Sequence, residues 1–460
     1  MIALLLLLAD TYYVGPAGND ANDGRSPAMA WRTVEKVNAT TFAPGDQILF
    51  ARGGTWRESL KASSSGEPGK PIVYAAYGQG AKPKFWGSDL LRRGTGGTYA
   101  IEKPVAAVML NHDFLKPGAW SWSNGTLTIV DPVKGLYTAC VRVDAVHSNG
   151  KNHLVFRDLQ ADETADVRDG YGFRVMGSDD VRLEDCEAYR AGRHHFGVIN
   201  STNFVGLRLT CAFAMPNCPG GATFYVSFSD ASRKGDTHQW IDCSGERFEN
   251  PGERNYQIFY DHGEGLGPIL IQNMVSRGGR MSLGSSSTAP ITVKGGLIED
   301  NSLEVFGDHV HVDGLTLKGN GGVDNFSSDG LFENLLVQVD PKNGGPTGYG
   351  AGILMRDGAK RNTIRCSTVL LGDAPGVKIL GAGSQTRVAG NILISKKAAL
   401  EGDAAAEQNF TSGDPMLGAD FAPKPGSPVI GAGKIEHPAA DHAGRKRPSP
   451  CALGAFEPSK

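Results

Sequence analysis

Ten short stretches between Phe156 and Asn391 share one order of positions: an apolar residue, two mostly polar ones, then a small or apolar one. They are Phe156–Leu159, Leu183–Cys186, Leu209–Ala212, Trp240–Cys243, Ile271–Met274, Val293–Gly296, Val312–Leu315, Phe332–Leu335, Ile364–Ser367 and Val388–Asn391. Successive starts lie 19 to 32 residues apart, the spacing of a solenoid coil. No helix-length apolar stripe separates them. The unit is therefore a short β-rung, and the fold class it predicts is all-β: a single-stranded right-handed parallel β-helix. Such a solenoid has no internal cleft, so chemistry must sit where side chains of stacked coils line an outer wall.

The flanks break this rhythm. Residues 1–10 carry an apolar run, Ile2 to Ala9, too short to span a bilayer; it reads as the remnant of a secretory signal and predicts secretion. Residues 11–90 read as an N-terminal cap, with a short helix led by Trp31, followed by the first rungs. In 91–150 the stretch WSWSNGTLTIVD places Asn124-Gly125 between alternating runs, a hairpin signal, so this segment is expected to be an antiparallel insertion. Residues 151–400 are the solenoid core. Residues 401–460 lack the pattern and are expected to cap the last open coil.

Composition narrows the partners. Lys and Arg number 46 against 49 Asp and Glu, a net charge of −3, which offers no broad basic face for nucleic acid. No other run is long enough for a membrane span, and a monomer is expected. Glycine is abundant, at 62 residues, as turns needing positive φ require. Cys186 and Cys243 share one repeat position and are expected to point inward as small apolar groups; a bridge between Cys211 and Cys218 stays open.

Alternation within the strand that precedes several repeat blocks sorts inward from outward side chains. With Phe173 and Val175 inward, Arg174 faces out. The same reading puts His195, Gln257, Arg280, Glu304 and Asp324 outward, in one column along the wall. His194-His195 lies beside Arg190 and Arg193, where the cations would keep an imidazole neutral and could hold a carboxylate. Asp261 is placed to orient His262 after Tyr260. Glu304 and Asp324 would be stacked carboxylates, either an acid–base pair or oxygen ligands for Ca²⁺. His309 and His311 read as surface residues.

The opening YYVGPAGNDANDG, then SPAMAWRT, PGDQILFARGGTW, the register GFRVMGSDDVRLEDC and the chain's ending resemble secreted right-handed parallel β-helix proteins of the pectate-lyase-like superfamily. That resemblance covers nearly the whole chain and implies a glycan-active scaffold. It does not carry over a catalytic set. Trp240-Ile241-Asp242 is followed by Cys243 where a pectate lyase has histidine, and Asp179-Asp180 and Asp261-His262-Gly263 match polygalacturonase blocks poorly.

The leading expectation is a polysaccharide lyase acting on a uronate-containing glycan by β-elimination. His195 would be the first candidate base and His262 the second. Arg280 and Arg193 would neutralise the carboxylate, and Tyr260 would protonate the leaving oxygen. Arg174, His194, Gln257 and Asp324 would bind substrate. The alternatives are a glycoside hydrolase using Glu304 and Asp324, and a non-catalytic glycan-binding surface protein.

Overall fold

The computed structural model describes residues 9–91, 97–116, 118–165, 169–213, 222–227, 237–246, 267–284, 290–339 and 350–459, and the backbone of Tyr256–Phe259. These residues fall into two compact units, one ending at Ser227 and one carrying the described residues from 237 onward. In each unit the chain runs repeatedly through three parallel ladders, named here the first, second and third walls. In the first unit one full coil is Leu154–Arg157, Gln160–Asp162 and Tyr171–Met176. The next is Val181–Glu184, Glu187–Tyr189 and His194–Ile199, paired to the first residue by residue. In the second unit a coil such as Ile291–Lys294, Leu297–Glu299 and Leu303–Val305 stacks on Ile269–Gln272, Val275–Arg277 and Arg280–Leu283. This is a parallel β-helix.

The recurrent block marks the corner between the first and second walls. Its third residue holds a left-handed backbone: φ is +60° at Asp158, +53° at Asp185, +54° at Asp242, +52° at Asn273 and +53° at Asn334. That region costs most side chains energy and is tolerated by Asn, Asp and Gly, so the sequence marks it. Gly295 and Gly314 fill the same place. The expected block Leu209–Ala212 is out of register. Leu183 pairs with Gly206 and the left-handed residue is Arg208, so that block begins three residues earlier, where an arginine hides the turn signature.

Inward rows form a dry core. Phe173, Phe196 and Phe224 stack in successive coils, at centroid distances of 5.1 and 5.6 Å, and Phe156 stacks on Tyr74 at 5.0 Å. Cys186 and Cys243 are buried as expected. Cys211 is buried, and Cys218 lies outside the described residues.

The cap differs from expectation in one respect. Trp31 does not lead a helix; it bridges Val14 at the end of the first wall and stacks on Tyr12 at 4.9 Å. The helix is Val34–Asn38, with the Thr33 side chain accepting from the Lys36 amide. Asn38 then closes an open strand edge: its Oδ1 accepts from the Lys61 amide and its Nδ2 donates to the Ser59 carbonyl, both at 2.9 Å, which blocks edge pairing. No helix among the described residues is long and apolar enough to cross a membrane.

The insertion is antiparallel. Trp120–Ser123 pairs with Thr126–Ile129 across Asn124-Gly125, both at positive φ, as a two-residue hairpin turn demands. Its sheets begin at Ser88–Leu90 and end at Tyr137–Cys140. Asp144–His147 already belongs to the third wall, paired with Leu60–Lys61 and Tyr171–Met176. Buried Glu163 ties insertion to coil. Its Oε2 accepts from Ser88 Oγ at 2.5 Å and Thr138 Oγ1 at 2.8 Å, and its Oε1 meets His112 Nδ1 at 2.6 Å.

The C-terminal segment is no simple lid on the last coil. After Ala404–Glu407 extends the first wall, the chain turns back along earlier coils of its unit. Arg447, buried, donates to Asn334 Oδ1 and Glu457 Oε1 at 2.8 Å. The Ala455 amide donates to Thr368 Oγ1 at 2.9 Å, and Phe456 and Ala422 pack on Leu336.

Candidate active site

In the first unit the third-wall strands break strict alternation. Gly172 faces the interior, where an added Cβ would lie 2.9 Å from the inward Ala188, and Phe173 beside it is inward too. The ladder pairs Tyr171 with His194 and then resumes at Phe173 with Phe196, passing over Gly172 and His195. Two consecutive residues therefore turn inward, as at a β-bulge. The same step recurs at Ala145-Val146 and His195-Phe196, all buried.

This step overturns the expected base. His195 is fully buried, and its Nε2 donates to the Ala212 carbonyl at 2.9 Å. Burial depresses its pKa to about 4. An inward imidazole cannot meet a glycan on the outer wall, so His195 is corrected to a core residue. Arg174 faces Gly197 across the ladder. The expected binding residue His194 is the outward one. Its ring stacks on Tyr225 at 4.1 Å, lies 5.0 Å from Tyr171, and its Nδ1 accepts from the Ala222 amide. Burial and neighbouring Arg193 push its pKa well below the usual value.

Around Arg174 the wall gathers groups that sequence reasoning passed over. Lys61, His147 and Arg174 are direct ladder partners in three successive coils, two cations flanking an imidazole with strands about 4.8 Å apart. The Arg174 guanidinium lies 4.1 Å over the Tyr171 ring. It reaches Asp169 Oδ1 at 2.5 Å and Asp144 Oδ2 at 3.4 Å. An added Cβ at Gly197 would come within 2.3 Å of the Tyr171 ring, so the glycine is what lets that ring lie flat beneath the guanidinium. Three polar atoms here are buried without a hydrogen-bond partner: Asp144 Oδ1, His147 Nε2 and Arg174 Nε.

The electrostatics follow from burial and the row of cations. Burial pushes the Asp144 carboxyl up to about 6, against the pull of Arg174. Burial, with Arg174 and Lys61 alongside, holds His147 down at about 4. Burial lifts Tyr171 to about 12. Between about pH 4 and 6 the wall thus carries a neutral imidazole and a protonated carboxyl beside a guanidinium.

The second unit places the expected Arg280, Glu304 and Asp324 on its third wall. Glu304 pairs with Ser282 and with Asp324 across the ladders, so the two carboxylates are stacked. Each has its own arginine: Arg280 Nη1 meets Glu304 Oε1 at 2.5 Å, and Arg356 grips both oxygens of Asp324 at 2.7 and 2.9 Å. The arginines thus set a positive charge against each carboxylate. The wall therefore holds two ion pairs, not two carboxyls sharing a proton. Two residues on from each carboxylate, Phe306 and Phe326 stack at 4.7 Å and stay 36 % and 41 % exposed, with Arg356 4.9 Å over Phe326. Ladder pairing sets Gln257 opposite Met281. Its side chain, and the whole of Tyr260 and His262, lie outside the described residues.

One three-residue group of metal-ligating type, His311, Asp313 and Glu333, lies on the first wall among the described residues. Both Glu333 oxygens are already engaged, by His311 Nε2 and by Arg365 Nε, each at 2.7 Å.

No family model matches the chain. A lacto-N-biosidase from Bifidobacterium longum subsp. longum is 28% identical over 141 residues, 27% of this chain and 9% of that protein. The chain thus spans about a tenth of the length of this curated relative. Among solved structures, a complex of XylC with xylose is similar over 97% of this chain and 98% of that one, at 10% identity and a TM-score of 0.48. A rhamnogalacturonan lyase is similar over 87% of both chains, at 14% identity and a TM-score of 0.46. The pectate lyase Pel9A covers 98% of this chain and 96% of its own, at 14% identity and a TM-score of 0.40.

Proposed function

We propose that the protein is a carbohydrate-active enzyme, working outside the cell, that cleaves an acidic polysaccharide by β-elimination on the third wall of its first unit. The observation that carries this reading is the in-register row of Lys61, His147 and Arg174, with His147 Nε2 and Arg174 Nε lacking a protein partner. Lys61 and Arg174 bind the uronate carboxylate. They stabilise the negative charge that builds on it as the adjacent C5–H bond breaks. Burial, with the same two cations alongside, keeps His147 neutral, so its Nε2 can take that proton. The electron pair forms the C4–C5 double bond and the C4–O bond breaks. Asp144, protonated below about pH 6, gives its proton to the departing oxygen.

This assignment moves the base from His195 to His147 and the acid from Tyr260 to Asp144, and keeps arginine as the neutraliser. The test is a panel of polygalacturonate, rhamnogalacturonan, alginate and xylan, read in parallel for ultraviolet absorbance of unsaturated ends and for reducing ends. Elimination gives both signals together, in a window between about pH 4 and 6. Reducing ends without absorbance would sink it.

A glycoside hydrolase is the second reading. It is supported by the same Asp144, whose raised pKa suits a general acid, and by the stretch similar to a lacto-N-biosidase. In that case the preferred substrate would be a neutral oligosaccharide and no chromophore would appear.

A further inference from the structure

At the corner where other blocks of the second unit carry Asp, Asn or Gly, one coil carries Cys366, at φ +49°. It lies beside Cys451 of the returning C-terminal segment: Ile435 of that segment packs on Cys366, Gly433 two residues before it bridges Cys451, and each thiol shifts the other's pKa. Both cysteines are buried. Two glycines clear the space around the sulfurs. In the next coil a Cβ at Gly390 would stand 3.7 Å from Cys366 Sγ and 2.2 Å from Ile435, which packs on Cys366. A Cβ at Gly433 would stand 2.6 Å from Cys451 Sγ. Gly433 and Cys451 also exchange two backbone hydrogen bonds within the segment, at 2.9 and 3.0 Å, and the Gly454 amide donates to the Gly390 carbonyl at 2.8 Å, which holds the segment beside the coil.

We propose that Cys366 and Cys451 are a modification site: under oxidising conditions they form a disulfide that fastens the C-terminal segment to the coil stack. The oxidant is a small-molecule disulfide such as oxidised glutathione. The Cys451 thiolate attacks one glutathione sulfur and expels a glutathione thiolate. The Cys366 thiolate then attacks Cys451 Sγ in the mixed disulfide and expels the second. One protein S–S bond forms, two protein thiols are oxidised, and two glutathiones leave reduced, carrying the two protons. Cys451 is the better first nucleophile. The neighbouring Cys366 thiol lowers its pKa, helped by His437 and Arg447, and the same contact raises that of Cys366. Reaction takes place as the segment docks, with the two thiols already side by side and not yet enclosed. The bond closes a loop of roughly 85 residues, long enough to restrict the unfolded chain substantially.

The test uses the full chain refolded with oxidised glutathione, blocked with iodoacetamide, digested and mapped by mass without reductant. The expected result is one linked pair of peptides, containing Cys366 and Cys451, that separates on reduction. Recovery of both cysteines alkylated, or of either one joined to a different cysteine, overturns the proposal. In parallel, reductant should lower the Tm of the oxidised wild type by about 10 °C. It should leave the Cys366→Ser/Cys451→Ser double variant unmoved; an equal shift in both proteins also overturns it.

Discussion

The third wall of the first unit and the third wall of the second are built from the same kinds of side chain, arginine, carboxylate and aromatic ring. In the second unit every described carboxylate on the wall is closed off by a cation of an adjacent coil: Glu304 by Arg280, Asp324 by Arg356, Glu401 by Lys378 at 3.1 Å. In the first unit one cation, Arg174, is shared by two acids, Asp169 and Asp144, and Asp144, His147 and Arg174 each keep a buried polar atom with no partner. Unused hydrogen-bonding capacity beside shifted pKa values is what the proposed site has, whereas matched ion pairs mark a wall that is already neutralised.

The largest expected effect separates the two walls outright. Arg174→Ala or His147→Ala should cut kcat/KM by about a thousandfold on the active polysaccharide, while Arg280→Ala should change it by less than about tenfold. Equal losses at Arg280 and Arg174 would erase the distinction drawn here. The second effect reverses the order and is read by denaturant unfolding. Arg356→Ala strands the buried Asp324 carboxylate and should cost about 3–5 kcal/mol; restoring most of that with Asp324→Asn would confirm the cause.

The third effect is on stability against pH. The folded pKa of Asp144, about 6, lies above its ordinary 3.8. Its favourable contribution is therefore complete below about pH 4 and is lost as pH rises through 6. His195 runs the other way. Its folded pKa, about 4, lies below the ordinary 6.5, so its contribution is complete above pH 6.5 and is lost as pH falls through 4. Asp144→Asn should flatten the stability curve from pH 4 to 6, and His195→Gln should flatten the acid fall between 6.5 and 4. Each change is up to about 3 kcal/mol, and unfolding titrations that stay parallel to wild type would refute the assignment. The smallest effect is Gly197→Ala, which must displace the Tyr171 ring. It should lower kcat/KM about tenfold and the Tm by only a few degrees, without changing the behaviour of the second unit's ion pairs.

Much of the architecture was legible because the corner between the first and second walls needs a left-handed residue in every coil. Asp158, Asp185, Asn273 and Asn334 announce that corner; Arg208 does not, and there the register reading slipped by three. The hairpin at Asn124-Gly125 was legible for the same reason. The site was less so. Strict alternation predicts an outward His195, and nothing in the letters His194-His195-Phe196 reveals that two neighbours turn inward together. The second loss was a boundary. Assigning residues up to 150 to the insertion hid Asp144 and His147, although DAVHSNGKNHLVFRDL runs parallel to YGFRVMGSDDVRLEDC, with His147 matching Arg174. Glu304 and Asp324 were found because their strands alternate regularly. Their arginines were half found, since Arg356 lies just past the end of its strand.

The paired inward step has a metric consequence. On an ordinary strand, side chains on one face repeat every two residues, about 6.6 Å apart. At Asp144 and His147, Tyr171 and Arg174, and His194 and Gly197 the repeat becomes three residues, about 10 Å. The wider interval makes room for the Tyr171 ring, which lies beneath Arg174 and against Gly197. A single added residue per coil thus sets the gauge of this wall.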